Sequence, residues 1–305
     1  MKRLLLSFAT AVVVALAVQS FTIGALAPRL PWQVLRPAVR EARHHSLPAV
    51  QLVHVLNADG AINVATYDGD SVEVSADIRA YPETYAGRSA AERYVGNLVK
   101  IDKFGDTIAI ITEPEDRPDS LDLRVDYELL LPVGTDISLV CMSGNVWVGA
   151  GCGRVLVKGN YTDITITEPE KNVVAKTVTG RIEVVNARHP TSLETVNGSI
   201  YAQMMGGRLK ASTTTGDIYA TVLEPAVDEC DLTVMNGDIT LVMSERCSAR
   251  VEATTGRGTV ASEFAFADAA PVQRKRRIEG SFGAGRTKAT LESLNGDIKI
   301  ARSET

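Results

Sequence analysis

Histidine, cysteine and aromatic residues are scarce in this chain, and each scarcity removes a class of chemistry. Its 305 residues hold 4 His, 4 Cys and 2 Trp, with aromatics at 5%. The cysteines, Cys141, Cys152, Cys230 and Cys247, are spaced by 11, 78 and 17, which matches no zinc motif. His44 and His45 are adjacent but have no further Cys or His nearby to complete a metal site, and His54 and His189 lie in different regions. No Gly-x-Ser-x-Gly elbow marks a nucleophile. Nor is there an excess of positive charge: 32 Lys+Arg against 37 Asp+Glu leave a net charge of −5. A nucleic-acid binder would need a strongly basic face. The expectation is a non-enzymatic protein with no cofactor, no metal and no nucleic-acid partner. Hydrophobic residues at 45% and charged residues at 23% are ordinary for a folded chain.

The N-terminus has its own pattern. Lys2 and Arg3 precede an apolar run from Leu4 that weakens towards Ala27, and no acidic residue appears before Glu41. A charged start followed by such a run reads as an export signal. Ala25-Leu26-Ala27 fits the small-x-small cleavage rule, although Pro28 follows it, and Ala15-Leu16-Ala17 is the alternative. Uncleaved, residues 4–27 are long enough to span a bilayer. Arg29, Arg36, Arg40 and Arg43 on the far side weaken that anchor, because basic flanks prefer the cytoplasm. Residues 1–27 are therefore expected to be a signal peptide or membrane anchor, and the chain an exported protein of the periplasm or cell surface, or anchored outside the cytoplasm. Residues 28–45, with three prolines, four arginines and the His pair, read as a linker.

What the chain does have is a repeat. Short turns ending in glycine recur at Ser143-Gly144, Thr179-Gly180, Asn197-Gly198, Thr215-Gly216, Asn236-Gly237, Thr255-Gly256 and Asn295-Gly296, with Thr162 in the glycine place between the first two. From Gly144 the steps are 18, 18, 18, 18, 21, 19 and 40. Two and four residues after the glycine stand pairs such as Val146/Val148, Ile182/Val184 and Ile239/Leu241. Five residues before it stand Leu139, Val157, Ala175, Leu193, Ala211, Leu232, Val251 and Leu291. Period-two alternation marks a strand with one buried face, and glycine at the turn takes positive φ without steric cost. One strand–turn–strand unit cannot bury its apolar side alone, whereas stacked units place equivalent side chains above one another.

The expected fold is all-β: a single-stranded, β-helix-like solenoid of about 18-residue rungs over residues 136–302, preceded by a looser β region over 46–135. An antiparallel hairpin stack with the same pattern is the alternative. In the looser region Gly60 is followed by Ile62 and Val64, Asp68 to Val74 gives a turn and strand, and Ser89-Ala90-Ala91-Glu92 is a capping box opening a helix over 89–98. The basic run Gln273 to Arg277 sits in an insertion before Gly296 and reads as a solvated loop.

Three segments carry a resemblance. Val125-Asp126-Tyr127-Glu128-Leu129-Leu130-Leu131-Pro132-Val133-Gly134 leads into the first strict repeat; Asn-Gly-Asp-Ile recurs at 236–239 and 295–298; Gly280-Ser281-Phe282-Gly283-Ala284-Gly285 precedes the last repeat. Together, over about residues 48–302, they resemble the bacterial adhesin-like β-strand-repeat family known as domain of unknown function 4097. The resemblance implies a β-solenoid at the cell envelope with no established biochemical activity and no catalytic motif to carry over.

The repeat frame also places the candidate residues. Cys141 and Cys230 point inward, and Cys247 approaches Cys230 on the neighbouring rung, so Cys230–Cys247 and Cys141–Cys152 are candidate disulfides; buried free thiols are the alternative. Asp217, Asp238 and Asp297 follow their glycines directly, with Arg257 between the last two. Asp217 and Asp238 on adjacent rungs suit calcium or acid–base work, but Asp there also bonds backbone N–H groups, and that bonding role is the expected one. Three residues after the glycine the strand points outward, where Trp147, Thr165, Glu183, Tyr201, Tyr219 and Thr240 stand. Trp147, Glu183, Tyr201 and Tyr219 thus form a candidate binding face for a glycan or an envelope protein, and good strand formers are the plain reading of the same aromatics. Three functions follow, in this order: a rigid binding or adhesin scaffold, a self-assembling structural protein, and a β-helix carbohydrate-active enzyme.

Overall fold

The structure, a computed structural model, describes residues 39–82, 88–112, 121–266 and 276–303. All belong to the compact unit Ala38–Thr305. Residues 1–27, expected to be a signal peptide or membrane anchor, residues 28–38 of the expected linker and basic residues 273–275 lie outside them.

The strands of the N-terminal part are β1 (Val39–Pro48), β2 (Leu52–Asp59), β3 (Ile62–Tyr67), β4 (Ser71–Pro82), β5 (Val99–Phe104), β6 (Thr107–Thr112) and β7 (Leu121–Pro132), with helix α1 (Arg88–Val95) before β5. β8 (Asp136–Val148) and β9 (Val155–Thr167) each run through a corner and supply both arms of a rung. Later rungs divide at the corner into β10 (Val173–Thr179) and β11 (Ile182–Ala187), β12 (Thr191–Asn197) and β13 (Ile200–Met204), β14 (Gly207–Thr215) and β15 (Ile218–Val222), β16 (Val227–Asn236) and β17 (Ile239–Met243). The remainder are β18 (Ala249–Arg257), β19 (Val260–Ser262), β20 (Arg277–Phe282), β21 (Thr287–Asn295) and β22 (Ile298–Arg302).

Rungs stack as parallel, in-register pairs, so the architecture is the all-β solenoid and not a hairpin stack. Leu139 pairs with Val157, Val157 with Ala175, Ala175 with Leu193, and Leu193 with Ala211. On the second arm Ile164, Ile182, Ile200, Ile218 and Ile239 form an unbroken column. All of these are buried. Each buried Ile, Leu or Val contributes about 1.5–3 kcal/mol, and the two columns face each other as one core. The corner needs glycine for a reason beyond its φ: a Cβ on Gly237 (φ +148) would lie 2.1 Å from the Gly216 carbonyl oxygen of the rung below. Thr162 occupies a corner without positive φ, and its buried side chain fills the room left by Gly159, where a Cβ would come within 2.5 Å of the threonine Cβ.

Three expectations need correction. First, the corner of the β18/β19 rung is Gly258 (φ +146), not Gly256. Ala253, not Val251, pairs with Leu291, and Thr259, not Arg257, follows the corner. Second, the rungs do not stack in chain order. β16 and β17 pair with β21 and β22, and β21 and β22 pair in turn with β18 and β19. The last coil is therefore inserted beneath one that precedes it. The N-terminal end mirrors this: β2 and β3 lie between β8 and the outer strands β6 and β7. The regular coil thus begins at Gly60, ahead of the expected boundary at residue 136.

Third, residues 39–45 are not linker. They open β1, which pairs antiparallel with β4 from Val39 to Pro48. The arginines and histidines concealed an edge strand, where a terminal proline is tolerated. Arg43 is a structural donor: its guanidinium bonds the Val95 and Gly96 carbonyls at 3.3 and 2.5 Å, at the C-terminal end of α1. His44 lies against Ser75 and Glu73, at 3.1 Å from each.

Candidate functional site

The outward column of the second arm is assembled as the alternation requires. Trp147 pairs with Thr165, Thr165 with Glu183, Glu183 with Tyr201, Tyr201 with Tyr219, and Tyr219 with Thr240. The inserted coil adds Lys299 beside Thr240. Trp147, Tyr201 and Tyr219 are 37%, 42% and 43% exposed, so each ring has one side packed on the sheet and one in solvent. The tyrosine rings are 6.3 Å apart between centroids and tilted by 35°. Arg181 sets its guanidinium 5.6 Å from the Tyr201 ring centre, within cation–π range. The indole of Trp147 lies over Gly149, where a Cβ would come within 2.9 Å of it. The result is an aromatic strip on a rigid sheet with Glu183 between its two aromatic parts.

Beside this strip runs a ladder of carboxylates directly after the corner. Asp163 Oδ1 accepts the Arg181 backbone N–H at 2.7 Å, Asp217 that of Asp238 at 2.9 Å, Asp238 that of Asp297 at 2.7 Å, and Asp297 that of Thr259 at 2.7 Å. Each aspartate bonds the rung above it. The expected backbone role of Asp217, Asp238 and Asp297 is thus what these side chains perform, across rungs instead of within one turn. On the buried side of the corner, hydroxyls do the converse and bond the rung below: Thr213 donates to Gly198 O, Ser293 to Gly237 O and Thr255 to Gly296 O, at 2.8–3.1 Å. Among the described residues no cluster of three or more His, Cys, Asp or Glu has metal-binding geometry.

The cysteines are buried free thiols. The Cys230–Cys247 pairing fails on rung order. Cys230 has Leu209 on one side and Ala289 of the inserted β21 on the other. Cys247 turns its Sγ to the Val222 carbonyl, at 3.7 Å. Cys141 Sγ lies 3.5 Å from Gly60 O, taking the place of the corner hydroxyls, and is not bonded to Cys152. Burial pushes the Cys152 and Cys230 thiols up to about 12 and raises those of Cys141 and Cys247 as well. They are protonated small hydrophobes with no nucleophilic role at neutral pH.

One surface was missed from sequence. Two residues before the corner stand Met142, Val178, Val196, Met235 and Leu294, which are 41–52% exposed. Their common offset from the glycine was the available signal: the alternation that turns Ala175 and Thr177 inward turns Val178 outward, and it breaks only at the residue before the corner.

Both ends of the stack are closed. β5 runs antiparallel to β6, β1 covers β4 and β4 covers β7, and β20 runs antiparallel to β18. The fourth outer edge is the three-residue β19. Beside it Phe264 stacks on Phe282 at 4.2 Å, with Phe266 at 6.0 Å from the same ring. Short and antiparallel edges oppose end-to-end addition of parallel rungs. Among the described residues no helix is long and apolar enough to cross a membrane.

Fold and surface define a class: a two-armed β-solenoid with capped ends and an outward aromatic strip. The chain matches the family model described as Toastrack DUF4097 over residues 86–301, and it belongs to that family. No curated protein matches it. Among solved structures it is similar to a "putative adhesin" from Bacteroides fragilis, at 12% identity and a TM-score of 0.49, covering 87% of this chain and 98% of that one. It is also similar to a "putative adhesin" and a "putative lipid binding protein", both from Parabacteroides distasonis. The first is 9% identical with a TM-score of 0.42, covering 88% of this chain and 98% of that one. The second is 14% identical with a TM-score of 0.41, covering 87% of this chain and 97% of that one.

Proposed function

We propose that this chain is a non-enzymatic binding scaffold of the cell envelope, exported through its N-terminal segment, and that Trp147, Glu183, Tyr201 and Tyr219 form its contact face. The observation that carries the reading is the Tyr201–Tyr219 pair: two half-exposed rings on adjacent parallel rungs, fixed by the sheet beneath them. Rings already held in place lose little conformational entropy when a ligand covers them, and their exposed faces suit stacking on sugar rings or on a protein partner. Glu183 beside them supplies a hydrogen-bond acceptor for hydroxyl groups. The capped ends of the stack favour this reading over a self-assembling structural role.

The test is a screen of the full chain against glycans and cell-wall fractions, repeated with Tyr201→Ser/Tyr219→Ser. The expected outcome is a ligand whose binding falls at least tenfold in the double variant while the melting temperature stays within about 2 °C, since neither ring belongs to the core. Equal binding by the two proteins would remove the tyrosine face from the proposal.

A further inference from the structure

The seam between β16/β17 and β21/β22 differs from those inside the stack. There, a rung is followed in the chain by its spatial neighbour. Here the polypeptide passes from Met243 through residues 244–248 to the outermost rung, β18/β19, and returns only later to fill the gap with β21/β22. Every backbone contact across the seam therefore joins residues about 60 apart in sequence, as in Leu232 with Leu291 and Ile239 with Ile298.

The described residues of 249–266 and 276–303 also pack on one another. β18 is hydrogen-bonded on one side to β20 and on the other to β21, and Phe264 and Phe282 stack within the unit. This module meets the rest of the stack through a self-matching motif. Asn236-Gly237-Asp238-Ile239 receives Asn295-Gly296-Asp297-Ile298 directly on top of it. The Asn295 side-chain amide donates to Asn236 Oδ1 at 2.8 Å, the Gly237 N–H to Asn295 O at 2.9 Å, and the Asp297 N–H to Asp238 Oδ1 at 2.7 Å.

We infer that the C-terminal module of one copy can complete the stack of a second, so that two copies of this chain pair by reciprocal exchange of residues 249–303 across the β16–β21 seam. Only the connection at 244–248 must change its path, and every other contact of the seam is remade with identical partners, which is the condition for a low-cost exchanged dimer. The connection already has to pass a whole inserted rung, so shortening it penalises the closed monomer more than the exchanged pair.

The test uses two single variants of the full chain, Thr240→Cys and Lys299→Cys. These positions face each other across the seam on the outward side, while the four native thiols are buried. The two variants are mixed at high concentration, held in urea near the foot of the unfolding transition, returned to buffer and treated with a short bis-maleimide. Exchange predicts a covalent dimer linked 240 to 299, identified by peptide mass spectrometry, and a larger dimer fraction at least threefold above that of the uncut chain when Glu245 and Arg246 are deleted. Recovery of the native circular dichroism with monomers only, or with dimers linked only 240 to 240 and 299 to 299, would overturn the inference. Should the deletion variant fail to fold, the cross-linking of the uncut chains decides alone.

Discussion

Asp238 Oδ1 accepts the backbone N–H of Asp297 at 2.7 Å, although 59 residues separate them in the chain. Asp217 bonds Asp238 in the same way, and Asp297 bonds Thr259. The ladder therefore follows the spatial order of the rungs and passes through the inserted coil. A backbone N–H at a corner has no ladder partner in its own rung, and the carboxylate below supplies one. Asp238→Ala should lower stability by about 1 kcal/mol, whereas Asp238→Asn, which keeps an acceptor oxygen in place, should retain most of it. Urea midpoints of the two variants at constant slope would check this, and equal loss in both would mean the bond contributes nothing beyond charge.

A corner glycine, Gly237, and Gly105, in the turn between the antiparallel strands β5 and β6, separate two costs that usually come together. Gly237→Ala places a Cβ 2.1 Å from Gly216 O at φ +148, so the rung below must move. Gly105→Ala meets no atom within 4 Å and bears only the left-handed conformation at φ +58. The second should cost about 1–2 kcal/mol, and the first, which adds overpacking against a rigid backbone, about 3 kcal/mol or more. Thermal melts of both variants test the ordering. Similar losses would show that stacking distance at the corner is not the constraint.

The contrast between what could and could not be read from the sequence follows from the same geometry. Ile182, Ile200 and Ile218 declare their column because each stands two residues after a glycine and the period is constant. Rung order at the ends has no such local mark. Leu232 can pack on Leu291 or on Ala253 with the same chemistry, so the apolar pattern fits either stacking order. The expected corner at Gly256 gives way to Gly258 because Gly296, 40 residues past the expected corner, lies beneath Gly258, and nothing local marks that. The outward aromatics Tyr201 and Tyr219 were legible because period two fixes the face. Met142, Val178, Val196, Met235 and Leu294 obey the same alternation, with Thr177 inside and Val178 outside, but apolar side chains do not announce an outward position by their chemistry. β1 was hidden by composition: its inward Arg43 is held by carbonyls at the end of α1, a partner far away in sequence.

Asp136 gives the acid limb of stability a specific source. Burial works against its charged form, but the Arg154 backbone N–H and the Lys171 ammonium, at 2.8 and 3.0 Å, outweigh burial and hold its carboxyl below the usual range. A folded-state value below the unfolded one means the carboxylate stabilises the fold above its unfolded value. That contribution is lost as pH falls through the folded one. Asp136→Asn should therefore be less stable than the native chain at pH 7, and the gap should close as the pH drops below about 4. Urea unfolding at pH 7 and pH 3 reads both ends. A gap that persists unchanged at the acid end would place the effect in packing and not in charge.

The four thiols test the rung order with no substitution at all. If Cys230 has Ala289 as its neighbour and Cys247 turns to the Val222 carbonyl, no disulfide can join these two without displacing β21. A folded chain purified without reductant should then react with a thiol reagent at none of its cysteines, because burial both shields them and raises their proton affinity. The same chain unfolded in guanidinium, still without reductant, should react at all four. Two reactive thiols after unfolding would mean that one disulfide exists; a bond between Cys230 and Cys247 would bring the β18 rung directly onto β16 and refute the inserted coil, while one between Cys141 and Cys152 would leave the C-terminal order intact. Peptide mapping of the labelled chain distinguishes these, so the experiment bears on the path of the last 60 residues as directly as on the redox state of the protein.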